Sequence, residues 1–401
     1  MKPSHIDWCP MIPDHWEEKR IKDIAFLQSG NSITAMDFVE DGKFPVYGGN
    51  GLRGYTNTYT NEGDYVLIGR QGALCGNINY AHGKFYASEH AVVVYPKKEE
   101  ITLWLGETLR TANLNRLSMT AAQPGLAVST LNLQFIPFPP KDERIRIAKY
   151  LDKKLSEIDH QVSLLTSKRD AYLRLKKSII NHAVTHGLDP NVKMKDSGIE
   201  WIGEVPEHWE VKRMKDIFFE RKELSLTGEE DLLSVSEFYG VARRKDKMNS
   251  DEEFESRADS LVGYKICKAH DLVINIMLAW KTGLGISDND GIVSPAYAVY
   301  EGRNIASHFY HYLLRSGMYV KEFKRHSKGI IDSRLRLYND RFNNISAIYP
   351  PLPEQRAIAT YLDDKCAKID TIVSNLDKQI SRYADLKRSL IDEVITGKRA
   401  V

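Results

Sequence analysis

Arginine, glutamine and asparagine are the side chains suited to reading nucleic-acid base edges, because a forked guanidinium matches guanine and a carboxamide matches adenine. In this 401-residue chain, Asn50, Arg53, Arg70 and Gln71 fall in glycine-rich stretches that predict loop tips. Lys84 and Gln123 are further candidates in the same segment. Lys281, beside Trp280 and Gly283, takes the place in a later segment that Arg70 takes in the earlier one. Cations suited to phosphates gather between Arg315 and Arg341, where eight Lys and Arg, among them Arg325, Lys328, Arg334 and Arg336, face only Glu322, Asp332 and Asp340. Arg243-Arg244-Lys245-Asp246-Lys247 forms a second basic run. Such clusters position a protein on phosphates and make its affinity fall with salt, and the competing reading of any charge run is a solvated helix face.

Other chemistry finds little footing. The paired prolines Phe138-Pro139-Pro140 and Tyr349-Pro350-Pro351 lack the preceding Asn or Asp of an adenine methyltransferase loop, and no GxxxxGK[ST] cradles a nucleotide phosphate. His182 and His186 have the i, i+4 spacing of a metal pair but no evident third ligand. The four cysteines, Cys9, Cys75, Cys267 and Cys366, stand far apart in sequence, so neither a redox pair nor a zinc pair can be drawn, and reduced structural thiols are expected. Neither a catalytic centre nor a metal site is therefore expected in this chain.

Composition bounds the class. Charged residues are 27% and hydrophobic residues 42%, as in soluble globular chains, and the length allows two or three domains. No apolar run is long enough to span a bilayer, and the first residues lack a signal-peptide core, so a cytoplasmic protein is expected. The net charge is only +2, which means that any nucleic-acid face must arise from local clustering.

The chain is written twice. Ile12-Pro13-Asp14-His15-Trp16 through Ile24 recurs as Val205-Pro206-Glu207-His208-Trp209 through Ile217, at an offset of 193. Ile147-Ala148-Lys149-Tyr150-Leu151-Asp152 recurs as Ile358-Ala359-Thr360-Tyr361-Leu362-Asp363, at an offset of 211. A duplicated frame thus carries two inserts, the second 18 residues longer, and the recurrence of Trp16 and Trp209 marks them as packing residues. Each insert reads as mixed α/β with many short strands, such as the turn, apolar strand and glycine-flanked loop of Gly63–Gly72 and its counterpart His270–Ile276, followed by a helix near 103–117 and near 305–323.

The frame itself is helical. Leu151, Ile158, Leu165, Tyr172 and Ile179 repeat every seven residues, as do Leu362, Ile369, Leu376, Tyr383 and Leu390. A second apolar row accompanies each, so both runs carry the seam of a helix lying along a partner helix. A helix of roughly 40 residues is about 60 Å long, and one exposed stripe that long needs a partner, for which the other stripe is the obvious one. The expected class is α+β: a mixed α/β domain over 1–140, a helix over 141–186, a linker over 187–206, a second such domain over 207–350 and a second helix over 351–401, the two helices forming an antiparallel intramolecular coiled coil.

The motif P-x-H-W-x-x-x-x-[IM]-K-D-I opening each half and P-P-x-P-E-Q-R-x-I-A-x-Y-L-D at Pro350–Asp363 resemble the specificity subunits of Type I restriction-modification systems, over essentially the whole chain. The first half departs from that pattern, with Lys141-Asp142-Glu143-Arg144 in place of the P-E-Q wording. The resemblance implies that each insert is a target-recognition domain reading one half of a bipartite site in double-stranded DNA. It implies helices that set the spacer and dock two modification subunits, optionally with two ATP-dependent restriction subunits. S-adenosylmethionine would bind the modification subunits and no cofactor this chain. A self-contained methyltransferase or nuclease and a coiled-coil scaffold without a DNA role are the rival readings; the unlike inserts argue against the scaffold.

Overall fold

A strand in the opening repeat of each half is hydrogen-bonded to a strand that lies just before the long-helix repeat. Glu17–Arg20 pairs antiparallel with Phe135–Phe138, and Glu210–Arg213 pairs antiparallel with Ser346–Tyr349 in the same register. Each insert is therefore closed at its base by one short two-stranded ribbon. These features belong to a computed structural model that describes residues 1–72, 74–98, 102–118, 125–246 and 260–401, with only the backbone of Ser333. The described chain divides into two compact units, 1–166 with 377–401, and 167–376.

Each unit holds a four-stranded antiparallel sheet. In the first unit the strands are β1 (Ala25–Ser29), β2 (Tyr65–Gly69), β3 (Ile78–Ala81) and β4 (Ala91–Pro96), in the order β1-β4-β2-β3. In the second they are β5 (Phe218–Glu220), β6 (Leu272–Asn275), β7 (Leu284–Ile286) and β8 (Tyr297–Gly302), in the equivalent order β5-β8-β6-β7. The central strands are continuous apolar runs because both faces are covered. Val66, Ile68, Val92 and Val94 pack with Trp104, Leu105 and Leu109, while Leu67 and Val93 pack on the other side with Phe85 and Ala87. Leu272 and Ile274 likewise face Phe309, Tyr310 and Leu313, and Val273 and Val299 face Leu233, Val235, Val241 and Cys267.

The inserts differ outside that shared sheet. Among the described residues the first adds a second four-stranded sheet containing Phe44–Gly48 and Lys84–Ala87, and the second adds two separate two-stranded ribbons. The helix expected over 305–323 is broken into Ser307–Leu314 and Gly317–His326, because Ser316 takes an extended conformation and restarts the helix. All four cysteines are unpaired and buried, and burial pushes the Cys9 thiol up to about 11 and the Cys267 thiol up to about 12.

Two long helices complete the frame, Lys141–His186 with 46 residues and Leu352–Ile395 with 44. Prolines precede both, acidic residues occupy both first turns, and Gly187 and Gly397 end them in the left-handed conformation at φ of 77° and 75°. Only glycine suits Gly397, where a Cβ would lie 2.5 Å from Pro13. In the first unit the start of the first long helix packs on the end of the second: Leu151, Leu155 and Ile158 share a core with Leu390, Ile391, Val394 and Ile395. In the second unit the roles are exchanged, with Ala183 and Val184 beside Ile358, Ala359 and Leu362. Lys387 Nζ meets the Asp159 carboxylate at 2.7 and 2.9 Å in the first unit, and Lys176 Nζ meets Asp370 at 2.7 Å in the second. These are one ion pair occurring twice at the 211 offset, so they report register; exposed pairs of this kind add at most about 1 kcal/mol each. Along the heptad positions, Leu151, Ile158, Leu362, Ile369, Leu376 and Leu390 are buried, and Leu165, Tyr172, Ile179 and Tyr383 are half-buried.

A glutamate in the first turn of each long helix ties that helix to its insert. Glu143 Oε2 accepts from the indole of buried Trp16 at 3.1 Å and lies 2.9 Å from His15 Nε2. Glu354 repeats this with Trp209 at 2.8 Å and His208 at 2.5 Å. The next residue also repeats its task with a different side chain. Arg144 donates to the Pro139 carbonyl and Gln355 to the Pro350 carbonyl, both at 2.8 Å and both buried. Arg144 fills its extra length by lying over the Phe138 ring at 4.0 Å and the Trp104 ring at 5.2 Å. The departure of the first half from the P-E-Q wording therefore preserves the contact.

Glu143→Ala strands the Trp16 indole N–H and is expected to lower stability by about 1–3 kcal/mol. Urea unfolding checks this; a midpoint equal to that of the parent protein would contradict the clamp.

Candidate nucleic-acid interface

In the first unit, the turn that joins Phe44–Gly48 to Gly51–Thr56 lies against the loop after β2. A Cβ on Gly69 would come within 2.1 Å of the Gly49 carbonyl, and one on Gly49 within 3.2 Å of the Gln71 carbonyl. This close approach gathers Asn50, Arg70 and Gln71. Asn50 Oδ1 accepts from Asn77 Nδ2 at 2.9 Å, and exposed Arg53 follows on the same hairpin with its guanidinium 5.6 Å from the Phe38 ring. Half-buried Arg70 donates to Ser29 Oγ at 3.1 Å, and its carbonyl accepts from Leu126 N at 2.9 Å. Gln71 is exposed and bridges Gly125. Lys84 is not brought to this group: by strand register it lies at the Phe44 end of the neighbouring strand, 3.8 Å from Glu62 and over the Tyr59 ring. Gln123 lies outside the described residues, as does Lys247 of the second basic run.

The second unit sorts its cations into two kinds. Arg243 and Lys245 both pair with Asp231, at 3.2 and 2.7 Å, and Arg325 pairs with buried Glu322 at 2.7 Å. Arg244 sits beside them in the turn Arg244–Asp246, its backbone donating to the Leu232 carbonyl. Lys281, Lys328, Arg334 and Arg336 have no carboxylate partner among the described residues. Lys281 lies over the Trp280 ring at 4.9 Å, and Lys324 approaches the same ring at 5.0 Å. Leu337 N donates to the Ile276 carbonyl at 2.9 Å, which brings the segment carrying Lys328, Arg334 and Arg336 beside the loop carrying Lys281.

Arg315 heads the basic run in sequence but does something else. The helix break at Ser316 turns its guanidinium inward, where it donates to the carbonyls of Thr282, Leu284, Glu237 and Phe238 at 2.6, 2.7, 3.0 and 3.2 Å. Burial disfavours its charge, and four carbonyl dipoles offset that cost. Neighbouring His311 is pushed down to about 3, first by burial and then by the charge of Arg315, so it remains neutral and its Nδ1 accepts from Ile286 N. The turn at Glu237–Phe238 and the loop at Lys281–Thr282 are thus fastened together through one side chain. No spacing in the sequence marks Arg315, which directly follows the buried pair Leu313–Leu314.

His182 and His186 stack at 5.0 Å, and among the described residues no three His, Cys, Asp or Glu gather as a metal site. No described helix is long and apolar enough to cross a membrane.

Comparison with known proteins bears on this arrangement. The family model described as "Type I restriction modification DNA specificity domain" matches residues 13–164 and again 206–382. The chain is 40% identical over 141 residues to the Type I restriction enzyme EcoprrI specificity subunit of Escherichia coli, a match spanning 34% of this chain and 35% of that protein. It is 26% identical to the putative specificity subunit S.HindORF215P of Haemophilus influenzae over 94% of this chain and 90% of the relative. It is 22% identical to the MjaVIII specificity subunit of Methanocaldococcus jannaschii over 96% and 93%. Among solved structures, a chain from a study of complex assembly and conformational transition of the Type I R-M system shares the fold, with a TM-score of 0.67, 15% identity and coverage of 97% and 100%.

Arg315→Ala removes the donor to four carbonyls and is expected to cost about 2–3 kcal/mol. Amide exchange across Ser236–Gly240 and 278–284 should accelerate, while the first unit keeps its protection. Unchanged exchange in both turns would show that Arg315 does not fasten them.

Proposed function

Because the chain belongs to the family of the Type I restriction modification DNA specificity domain, we propose that it is the sequence-reading subunit of such a complex, each insert reading one half of a bipartite, asymmetric site in double-stranded DNA. The observation that carries this reading is the duplicated frame holding unlike inserts. Ribbon, clamp and long helix recur, whereas the outer sheets and the cation patterns do not. A repeated frame delivers two reading surfaces with matched mounting, and unlike surfaces read unlike sequences.

In the first insert the readers are Asn50, Arg53, Arg70 and Gln71 on adjoining turns, with Lys84 a phosphate contact to one side. In the second, Lys281, Lys328, Arg334 and Arg336 face the DNA, while Arg243, Arg244, Lys245 and Arg325 sit in the surrounding basic surface with part of their charge answered by Asp231 and Glu322. The long helices, at 1.5 Å per residue about 65–70 Å each, set the distance between half-sites, and a DNA turn of about 34–36 Å is the unit against which that distance is measured. The heptad seam carries the pairing of the helices, and their outer faces dock two modification subunits, optionally with two restriction subunits. Methyl transfer, with S-adenosylmethionine as donor, and ATP-driven cleavage then reside on those partners, and this chain supplies recognition without catalysis. Mapping methylated sites in the host genome with and without this chain tests the proposal, which fails if the pattern does not change.

Exchanging residues 207–350 for another insert is expected to alter one half-site and leave the other intact, as read by methylation mapping; a change in both halves would contradict independent reading. Arg334→Ala combined with Arg336→Ala should weaken binding and flatten the slope of log affinity against log salt by up to ~2. Titrations of the assembled complex at several salt concentrations measure this, and an unaltered slope removes both residues from the phosphates.

A further inference from the structure

Between Lys328 and Arg336 the chain makes a closed tip. The two residues exchange backbone hydrogen bonds, each 2.9 Å, and Arg334 N donates to the Ile331 carbonyl at 2.8 Å. Gly329 is required for this closure, since a Cβ there would meet the Arg334 carbonyl oxygen at 2.6 Å and its carbon at 2.8 Å. The returning arm alternates inward and outward: Leu335 and Leu337 are buried, Arg334 is exposed and Arg336 is half-buried. The anchored tip pushes Ile330 into solvent, where it is 98% exposed, with Ile331 at 53% beside it. Asp332, the one acid in the tip, is answered by Lys324 at 3.0 Å, which leaves Lys328, Arg334 and Arg336 on the same tip with no carboxylate partner among the described residues.

A bulky β-branched side chain held fully in water on a locked turn, with three cations on the same short tip, has the composition of a device that enters a DNA base step while its neighbours grip the flanking phosphates. Phe238, 88% exposed on another turn, lacks that setting because Glu237 precedes it. We propose that Ile330 is a wedge that unstacks one base step in or beside the half-site read by the second insert, with Lys328 and Arg334 on the adjacent phosphates. This rests on the DNA-reading role proposed above and adds to it a deformation of the duplex. The second insert then selects sequence partly through how easily that step opens, a property no base-edge contact reports.

The test uses the full chain assembled with its modification subunits and a duplex bearing the mapped site, labelled at both ends for energy transfer. A second set of duplexes carries 2-aminopurine in place of each adenine of the second half-site in turn. The parent complex should bend the duplex by an angle within about 20–90° and raise 2-aminopurine emission at one step. Ile330→Ala should abolish both signals and weaken binding roughly tenfold, the worth of burying one aliphatic side chain. Ile330→Leu should retain both signals. Because the side chain is exposed, all variants should keep the parental thermal midpoint. A parent complex that binds its site specifically on straight, stacked DNA overturns the wedge and leaves the reading role standing, whereas absence of specific binding overturns the reading role itself. An Ile330→Ala complex that bends DNA as the parent does also overturns the wedge. So does a variant that no longer co-purifies with the modification subunits, which would assign the tip to protein docking.

Discussion

The fold depends on a carboxylate at the start of each long helix. Glu143 and Glu354 accept from an indole N–H and approach an imidazole, and each sits where the helix dipole favours negative charge. Through that one group the insert, its closing ribbon and its helix become a single body. The following residue, Arg144 or Gln355, then caps the Pro-Pro corner from inside. With these corners fixed, the helix leaves its insert in one direction only, and the apolar stripe meets the stripe that arrives from the far end of the other helix.

Much of this frame was legible in the sequence because its signals are periodic or repeated. Heptads at Leu151, Ile158, Leu362 and Leu390 follow from 3.6-residue geometry, and the packing of the long helices within each unit is what those stripes require. The glycine stops at Gly187 and Gly397 follow from steric rules that act on single residues. The central strands were visible for the same reason, as apolar runs too short for helices. Trp16 and Trp209 were marked as packing residues by recurrence alone.

Contacts made across long sequence separations were not legible. Glu143 stands more than 120 residues from His15 and Trp16, and no local pattern links it to them. Arg144 looked like a departure from a motif, whereas its guanidinium reaches the same carbonyl that a carboxamide reaches in the other half. Arg315 counted as one more surface charge because a charge run carries no information on burial; the break at Ser316, invisible in an apolar pattern that continues on both sides, is what turned it inward. That Lys84 lies away from Asn50 follows from β-strand register, set by pairing with Phe44–Gly48, which no local signal announces. No local signal marks Ile330, since an aliphatic residue reads as core until its solvent exposure is known.

The ribbons that pin both ends of each insert have a consequence for how such a chain can change over time. Once the ends are fixed, the entropy of closing the intervening chain grows only with the logarithm of its length, so the 18 additional residues of the second insert cost roughly 0.1 kcal/mol. Almost any polypeptide that presents a compatible strand at each end can therefore be grafted in whole. Drift and recombination inside the ribbon are decoupled from the integrity of the scaffold outside it, and new surfaces can be sampled without a new architecture.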